Sequence, residues 1–318
     1  MPDFKQILHN KDKKKIKVLI LRPEGSLGDA VLSSGYYQSL KQFNKNIEIH
    51  LFCFHSAYEY AKNLKEVDYI YRIFMRKLRQ HRGFISFLFL GLFLRLKNMD
   101  LIIDDNPYKG KNWDMFVWLL GKDKLFRPKN LYPSVTERTQ AVLTELGAPY
   151  ISPKLEISPQ NRNKVKQFLS SNKIDKFIVF NSFGSIQNKS FTPETFKKMF
   201  KEIRKRNKDI NIIFPFQPFQ KNILKNFYTE DKNLFFFETS CPQDIFALLA
   251  EDGHIFLITP DTSFVHIAII LGKRTIVIQK NIDCYKTFSS LATEITASQT
   301  NVNNFDIKIF VAALEKHL

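Results

Sequence analysis

Two doubly wound α/β units are what this sequence predicts, each a parallel sheet with helices between successive strands. Three stretches predict them. Ile255 to Ile278, IFLITPDTSFVHIAIILGKRTIVI, reads as strand, turn, helix, strand. From Lys17 to Ile73 short apolar runs alternate with helical ones. From Phe177 to Phe216 that alternation starts again, after a connection rich in proline and serine.

Taken in order, residues 1–15 read as a polar arm. Lys11 to Lys17 is basic but leads into a strand, not into the apolar core of a signal peptide. The first strand is Lys17 to Leu21. It opens into Arg22 to Ala30, RPEGSLGDA, and then a helix from Val31 to Phe43. Gly25 and Gly28 are three apart, but neither the G-x-G-x-x-G fingerprint nor a P-loop is present. Asp29 stands at the mouth of this first βα turn. It has two readings: an acid in the first helical turn, favoured by the helix dipole, or a base aimed at a ligand.

Asn46 to Phe54 is the second strand, Ala57 to Asn63 a short helix, and Val67 to Ile73 contains a third strand. Phe74 to Asp100 mixes arginine, lysine and phenylalanine. Its uninterrupted apolar run, Phe84 to Leu94, is too short to span a bilayer, which takes about 20 residues. Three readings stay open: a helix lying on an anionic membrane, a core helix flanked by solvated arginines, or a basic aromatic surface for nucleic acid. No RNA-binding signature or zinc-finger spacing supports the third. Leu101 to Asp104 is a strand, and Asp104-Asp105 fits a turn better than a metal site. Trp113 to Leu120 and Thr136 to Leu146 read as helices, and Phe126 to Tyr132 as a strand. Ala148 to Gln160 reads as the interdomain connection, dividing the chain into residues 1–155 and 156–318.

In the second half, Val165 to Ser170 is helical and Phe177 to Phe180 is a strand. It opens into Asn181 to Phe196, a loop with small hydroxyls, Gly184 and Lys189. A helix follows, with Thr192 as cap and Pro193 in its first turn. Such a loop suits a phosphate, with N–H donors and one point charge; the alternative is a solvated lysine. Ile210 to Phe216 is a strand with Gln217 and Gln220 at its end. Leu234 to Glu238 is strand-like, and Pro242 to Leu249 a helix capped by Ser240. In the 255–278 unit, Asp261-Thr262-Ser263 favours a helix cap, and Thr262 and His266 share one helix face. Free N–H groups are expected at that helix start, where an anion would bind. The tail, Asp306 to Leu318, is an amphipathic helix expected to pack back on the body, against the first domain.

The chain has 318 residues, 44% hydrophobic and 25% charged, as a globular protein does. Its net charge of +17 points to an anionic partner, or to compositional drift in a chain rich in Lys, Asn, Ile and Phe. Cys53, Cys241 and Cys284 are too scattered for a disulfide framework or a Cys-x-x-Cys metal site.

Three of these stretches together resemble a known family: GSLGDAVLSSGYYQSLKQF, FNSFGSIQNKSFTPETFKKMFKEI, and TPDTSFVHIAIILGKRTIVI with its Asp-Thr-x-x-x-His. In this order and spacing they look like the heptosyltransferases, family nine of the inverting glycosyltransferases, which build lipopolysaccharide cores. The resemblance implies a GT-B architecture: two Rossmann-like domains facing across a cleft, the acceptor on the N-terminal one and the nucleotide-sugar donor on the C-terminal one. It implies no cofactor and no metal. The expected donor is ADP-heptose, and the expected acceptor is an acidic, lipid-anchored glycan. By the same resemblance Asp29 is the catalytic base. Donor and phosphate contacts fall to Ser182, Gly184, Ser185, Lys189, Asp261, Thr262, Ser263 and His266. Gln217 and Ser240 stand near the nucleotide, Arg22 and Gly28 near the acceptor. Ser263 occupies a position where the family usually has glycine. The expected location is the cytoplasmic face of the bacterial inner membrane, touched through residues 74–99, with no nucleic acid partner.

Overall fold

A computed structural model describes residues 3–22, 26–73, 82–106, 110–129, 134–184, 186–280, 289–298 and 300–318. The chain divides into two compact units, Met1–Lys154 and Leu155–Leu318. In unit 1 the elements are α1 (Phe4–His9), β1 (Ile16–Arg22), α2 (Leu27–Phe43), β2 (Ile47–Phe54), α3 (His55–Ala61), β3 (Tyr69–Ile73), α4 (Arg82–Leu96), β4 (Leu101–Asp104), α5 (Lys111–Leu120), β5 (Leu125–Phe126) and α6 (Val135–Glu145). In unit 2 they are α7 (Pro159–Ser171), β6 (Phe177–Phe180), α8 (Pro193–Arg206), β7 (Asn211–Phe216), α9 (Lys221–Leu224), β8 (Leu234–Glu238), α10 (Pro242–Ala250), β9 (His254–Pro260), α11 (Ser263–Ile270), β10 (Arg274–Lys280), β11 (Ala292–Ala297) and α12 (Ile307–Glu315).

Both sheets are parallel, ordered β3-β2-β1-β4-β5 and β11-β10-β9-β6-β7-β8. Strand order reverses between β1 and β4 in the first and between β6 and β9 in the second. Connections there leave in opposite directions and open a crevice at the strands' C-terminal ends, where α/β folds hold ligands. The central strands are continuous apolar runs because helices cover both faces. In unit 1, Leu19, Leu21, Phe52 and Ile102 meet Trp113 and Phe116 of α5 in one core. In unit 2, Ile178, Phe180, Ile212, Phe214 and Ile258 meet Phe196, Met199 and Ile203 of α8.

The structure corrects several boundaries. Within the expected arm of residues 1–15, the described residues 3–15 are not free: α1 is capped by Asp3, Leu8 is fully buried, and Asn44 Nδ2 donates to the Leu8 carbonyl at 2.8 Å. α2 starts at Leu27, four residues before the expected Val31, because Ser26 caps it. The strand expected over Phe126 to Tyr132 reduces to the two residues of β5, and its portion from Asn130 to Tyr132 lies outside the described residues. The connection shortens at its end, since Ser158 caps α7 and Pro159 begins it. β11, unforeseen, extends the second sheet beside β10. α12 packs on α8 and β11, sending Phe310 and Leu314 into its own unit's core.

Of residues 74–99, those from 82 onward are described, with α4 over Arg82–Leu96; residues 74–81 lie outside the described residues. One stripe, Phe87 and Leu94, is buried with α5. Gly91 permits that approach, since a Cβ there would stand 3.2 Å from Leu119. The opposite stripe, Phe89, Leu92, Phe93 and Leu96, follows helical spacing yet stays exposed, Phe89 at 67% and Leu96 at 84%. Among the described residues no helix is long and apolar enough to cross a membrane.

Candidate active site

In unit 1, Asp29 is the third residue of α2. Its N–H donates to Ser26 Oγ at 3.0 Å, and the Ser26 hydroxyl donates back to Asp29 Oδ2 at 2.6 Å. This reciprocal cap holds the carboxylate at the helix start. It leaves Oδ1 with no hydrogen bond from the described residues. Asp29 borders a shallow recess, open on one side, whose lining also includes Arg22, Tyr37, Leu51, Cys53 and Ala57. Burial pushes the Cys53 thiol up to about 12, so it stays protonated at neutral pH.

Arg22 and Gly28, expected beside the acceptor, are both buried. The Arg22 guanidinium lies 2.7 Å from Asp105, donates to Thr139 Oγ1 at 3.0 Å and stands 5.5 Å over the Tyr36 ring. Its charge is committed inside unit 1, at the crevice where strand order reverses. Asp104, next in line, pairs with Arg127 at 2.7 Å and accepts from Trp113. Burial raises its pKa, and the Arg127 hydrogen bond opposes that rise. The Asp104-Asp105 pair is thus spent on cations rather than on a turn.

In unit 2, the loop after β6 and the start of α11 after β9 flank the second crevice. Asn181 ties them together. Its Nδ2 donates to Thr259 Oγ1 at 2.9 Å, to the Phe183 carbonyl at 3.1 Å and to Thr262 Oγ1 at 3.4 Å, while its Oδ1 accepts from Phe183 N at 3.1 Å. Sequence reasoning passed over this residue; the signal was an asparagine placed directly after a buried strand. Ser182 is fully buried, and its hydroxyl has no hydrogen-bond partner among the described residues. Gly184 lies so close to Lys189 that a Cβ would stand 2.2 Å from the Lys189 carbonyl oxygen. Only glycine lets the loop fold back there. Ser185 lies outside the described residues.

Lys189 ends a single tight turn, Gln187–Lys189, and its Nζ donates to Asp261 Oδ2 at 3.3 Å, both side chains partly exposed. The structure thus brings Lys189, Asp261 and Thr262 together. Thr262 caps α11 by accepting from Phe264 N at 3.3 Å, and the Thr262 carbonyl accepts from Val265 N. Those two N–H groups are therefore occupied, which narrows the free donors expected at this helix start. Ser263 is the first helical residue, and His266 follows one turn after Thr262, half-buried.

Gln217, directly after β7, is exposed, its N–H donating to Gln220 Oε1 at 2.7 Å. Ser240 is not the cap of α10; Cys241 holds that position. The N–H and hydroxyl of Ser240 both donate to Asp244 Oδ2, at 2.8 and 3.0 Å. Asp244 is fully buried and also takes Lys164 Nζ at 2.6 Å and Asn161 Nδ2 at 2.8 Å, tying α7 to α10. Burial pushes this carboxyl up, but Lys164 and the hydrogen bonds outweigh it and hold it below the usual range. Ser240 thus has its donors engaged internally. No group of three or more His, Cys, Asp or Glu able to hold a metal ion occurs among the described residues.

Comparison with solved structures finds the same fold at low identity. A family 9 glycosyl transferase from Veillonella parvula matches at 14% identity, over 95% of this chain and 96% of that one, with a TM-score of 0.72. Escherichia coli ADP-heptose lps heptosyltransferase II matches at 14%, over 95% and 98%, with a TM-score of 0.67. E. coli heptosyltransferase WaaC with ADP-2-deoxy-2-fluoro heptose matches at 14%, over 95% and 100%, also at 0.67. No curated protein matches. The model of glycosyltransferase family 9 (heptosyltransferase) matches residues 103–306, from the strand bearing Asp104 to the cap of the last helix. With its two doubly wound units of GT-B type, the chain belongs to that family and is a glycosyltransferase.

Proposed function

We propose that the protein transfers a sugar, with inversion, from a nucleotide-sugar donor to an acidic, lipid-anchored glycan of the lipopolysaccharide core, ADP-heptose being the first donor to try. The observation that carries this reading is the Lys189–Asp261–Thr262 constellation at the β6/β9 crevice, held by Asn181. One solved relative of the same fold, E. coli heptosyltransferase WaaC, is seen with ADP in one structure and with ADP-2-deoxy-2-fluoro heptose in another. In this chain the donor's diphosphate takes the place beside Lys189 that Asp261 now occupies. The ammonium then meets the charge that grows on the leaving oxygen, so no metal is required.

Asp29 is the base. Its Oδ2 is held by Ser26, and Oδ1 is left to accept the proton of the acceptor hydroxyl. That oxygen attacks the anomeric carbon from the side opposite the diphosphate. The carbon–oxygen bond to phosphate breaks, its electron pair leaves with the nucleoside diphosphate, and configuration inverts. The mechanism requires unit 1 to present Asp29 to a sugar held by unit 2. Gly28 and Arg22 shape the acceptor side only as scaffold. His266 and Ser263 border the donor sugar, and the Ser263 side chain makes the identity of that sugar a matter for a screen.

Unit 1 carries 26 Lys and Arg against 15 Asp and Glu, which suits an acidic acceptor. The exposed stripe of α4 gives the same unit an apolar face, as a protein working on the cytoplasmic leaflet of a bacterial inner membrane needs. Thermal-shift and calorimetric screening of nucleotide sugars tests the donor. Asp29→Ala should lower transfer by about 10² to 10⁴ and leave donor affinity unchanged. Undiminished turnover in that variant removes Asp29 from the mechanism. Lys189→Ala should weaken nucleoside diphosphate binding by about tenfold or more, as loss of a charge-assisted hydrogen bond does.

A further inference from the structure

Lys189 has little regular structure of its own to hold it. It ends the three-residue turn Gln187–Lys189, which the Ser190 N–H closes on the Gln187 carbonyl at 3.0 Å. Ser190, its neighbour, is tied from two directions. Within the loop, the Gly184 N–H donates to Ser190 Oγ at 2.9 Å. From outside it, Asn303 Nδ2 donates to the Ser190 carbonyl at 2.9 Å, and Asn303 Oδ1 accepts from Thr192 N at 2.8 Å. Asn303 stands 113 residues further along the chain than Ser190.

Asn303 is itself built into place. It belongs to a turn between β11 and α12, closed by the Ser298 N–H on the Asn304 carbonyl at 2.9 Å. Asn301 Oδ1 accepts from the Asn303 N–H at 2.9 Å and from its Nδ2 at 2.7 Å. Val302, next to it, is fully buried in the core of unit 2 and pins the turn to the body. Both hydrogens of the Asn303 amide and its oxygen thus go to fixed partners. One planar amide serves the backbone on either side of Phe191, as a neighbouring strand would. Aspartate, of the same shape, has no donor for the Ser190 carbonyl.

We infer that Asn303 is a positioning residue for Lys189: it fixes the backbone just after the lysine and so sets where the ammonium meets the donor's diphosphate. The inference rests on the diphosphate reading at Lys189 and adds a residue that acts only through that lysine. The physical reason is entropic. A lysine on a free loop loses backbone freedom when it engages an anion. On a braced loop that freedom is already lost in folding, so binding keeps more of the contact.

Calorimetry on the full chain tests it, with ADP and inorganic pyrophosphate as probes in a double-mutant cycle. Asn303→Ala should weaken both probes by about threefold or more, and should add nothing once Lys189 is replaced by alanine. Thr192→Ala controls for stability. It removes the side-chain cap of α8, should lower the melting temperature, and should leave both affinities unchanged. If Asn303→Ala does not fold, Asn303→Ser, too short to bridge the two backbone groups, carries the same prediction. Unchanged affinity in the Asn303 variant, a loss as large in the Lys189→Ala background, or an equal loss in Thr192→Ala overturns the brace while the diphosphate reading stands. Wild-type protein that binds neither probe, or Lys189→Ala that binds them as tightly as wild type, sinks both.

Discussion

His254 opens β9 with its ring against Phe177, 5.7 Å between centroids, and its Nδ1–H donating to the Leu249 carbonyl at 3.2 Å. Burial, with Lys273 nearby, pulls its pKa down to about 4. The folded chain holds it neutral, whereas the unfolded chain takes up a proton near pH 6.5. Its contribution is therefore complete above that pH and is lost as pH falls toward 4, amounting to about 3 kcal/mol on an order-of-magnitude scale. Thermal unfolding followed from pH 7 to pH 4.5 should show this fall, and His254→Phe should flatten it. A parallel fall in the variant would assign the acid sensitivity elsewhere. At this scale residue type alone misleads. The resemblance puts Arg22 near the acceptor, yet its guanidinium is held by Asp105 and lies over the Tyr36 ring. Lys189 reads as a loop lysine, yet it sits on Asp261, 72 residues away.

At the scale of elements, helices are legible where a cap and a period agree. Thr192-Pro193 opens α8 as expected, and Asp306 caps α12. α4 shows where periodicity stops being informative. A helix apolar all round is covered by whatever reaches it, and here α5 reaches only one stripe. The exposed stripe predicts binding to vesicles containing anionic lipid. Replacing Phe89, Leu92 and Leu96 by serine should abolish sedimentation with such vesicles and leave the melting temperature nearly unchanged, because these side chains are exposed. If the triple variant unfolds early instead, the stripe belongs to a protein core. Lys97, its Nζ 5.0 Å over the Phe93 ring, adds a cation at the same edge.

At the scale of the molecule, each unit has its own sheet and its own core: Leu19 and Phe116 belong to one, Phe180 and Phe310 to the other. Residues 155–318 expressed alone should therefore fold and bind nucleoside diphosphate, and should transfer no sugar without Asp29. Circular dichroism and calorimetry check this; a disordered fragment would mean that unit 2 draws its stability from unit 1. Alternation of apolar strands and capped helices was enough to determine two parallel sheets, because both signals are local: chain stiffness, side-chain period and the caps act within a few residues. The order of strands, the closing of Arg22 on Asp105 and the meeting of Lys189 with Asp261 were decided only in the folded chain. They depend on which segments pack together across long separations, and no local preference encodes that. The loop after β6 shows both. Its glycine and lysine could be read directly, but the approach that would put a Cβ at Gly184 2.2 Å from the Lys189 carbonyl oxygen arises only once Lys189 has folded back over it.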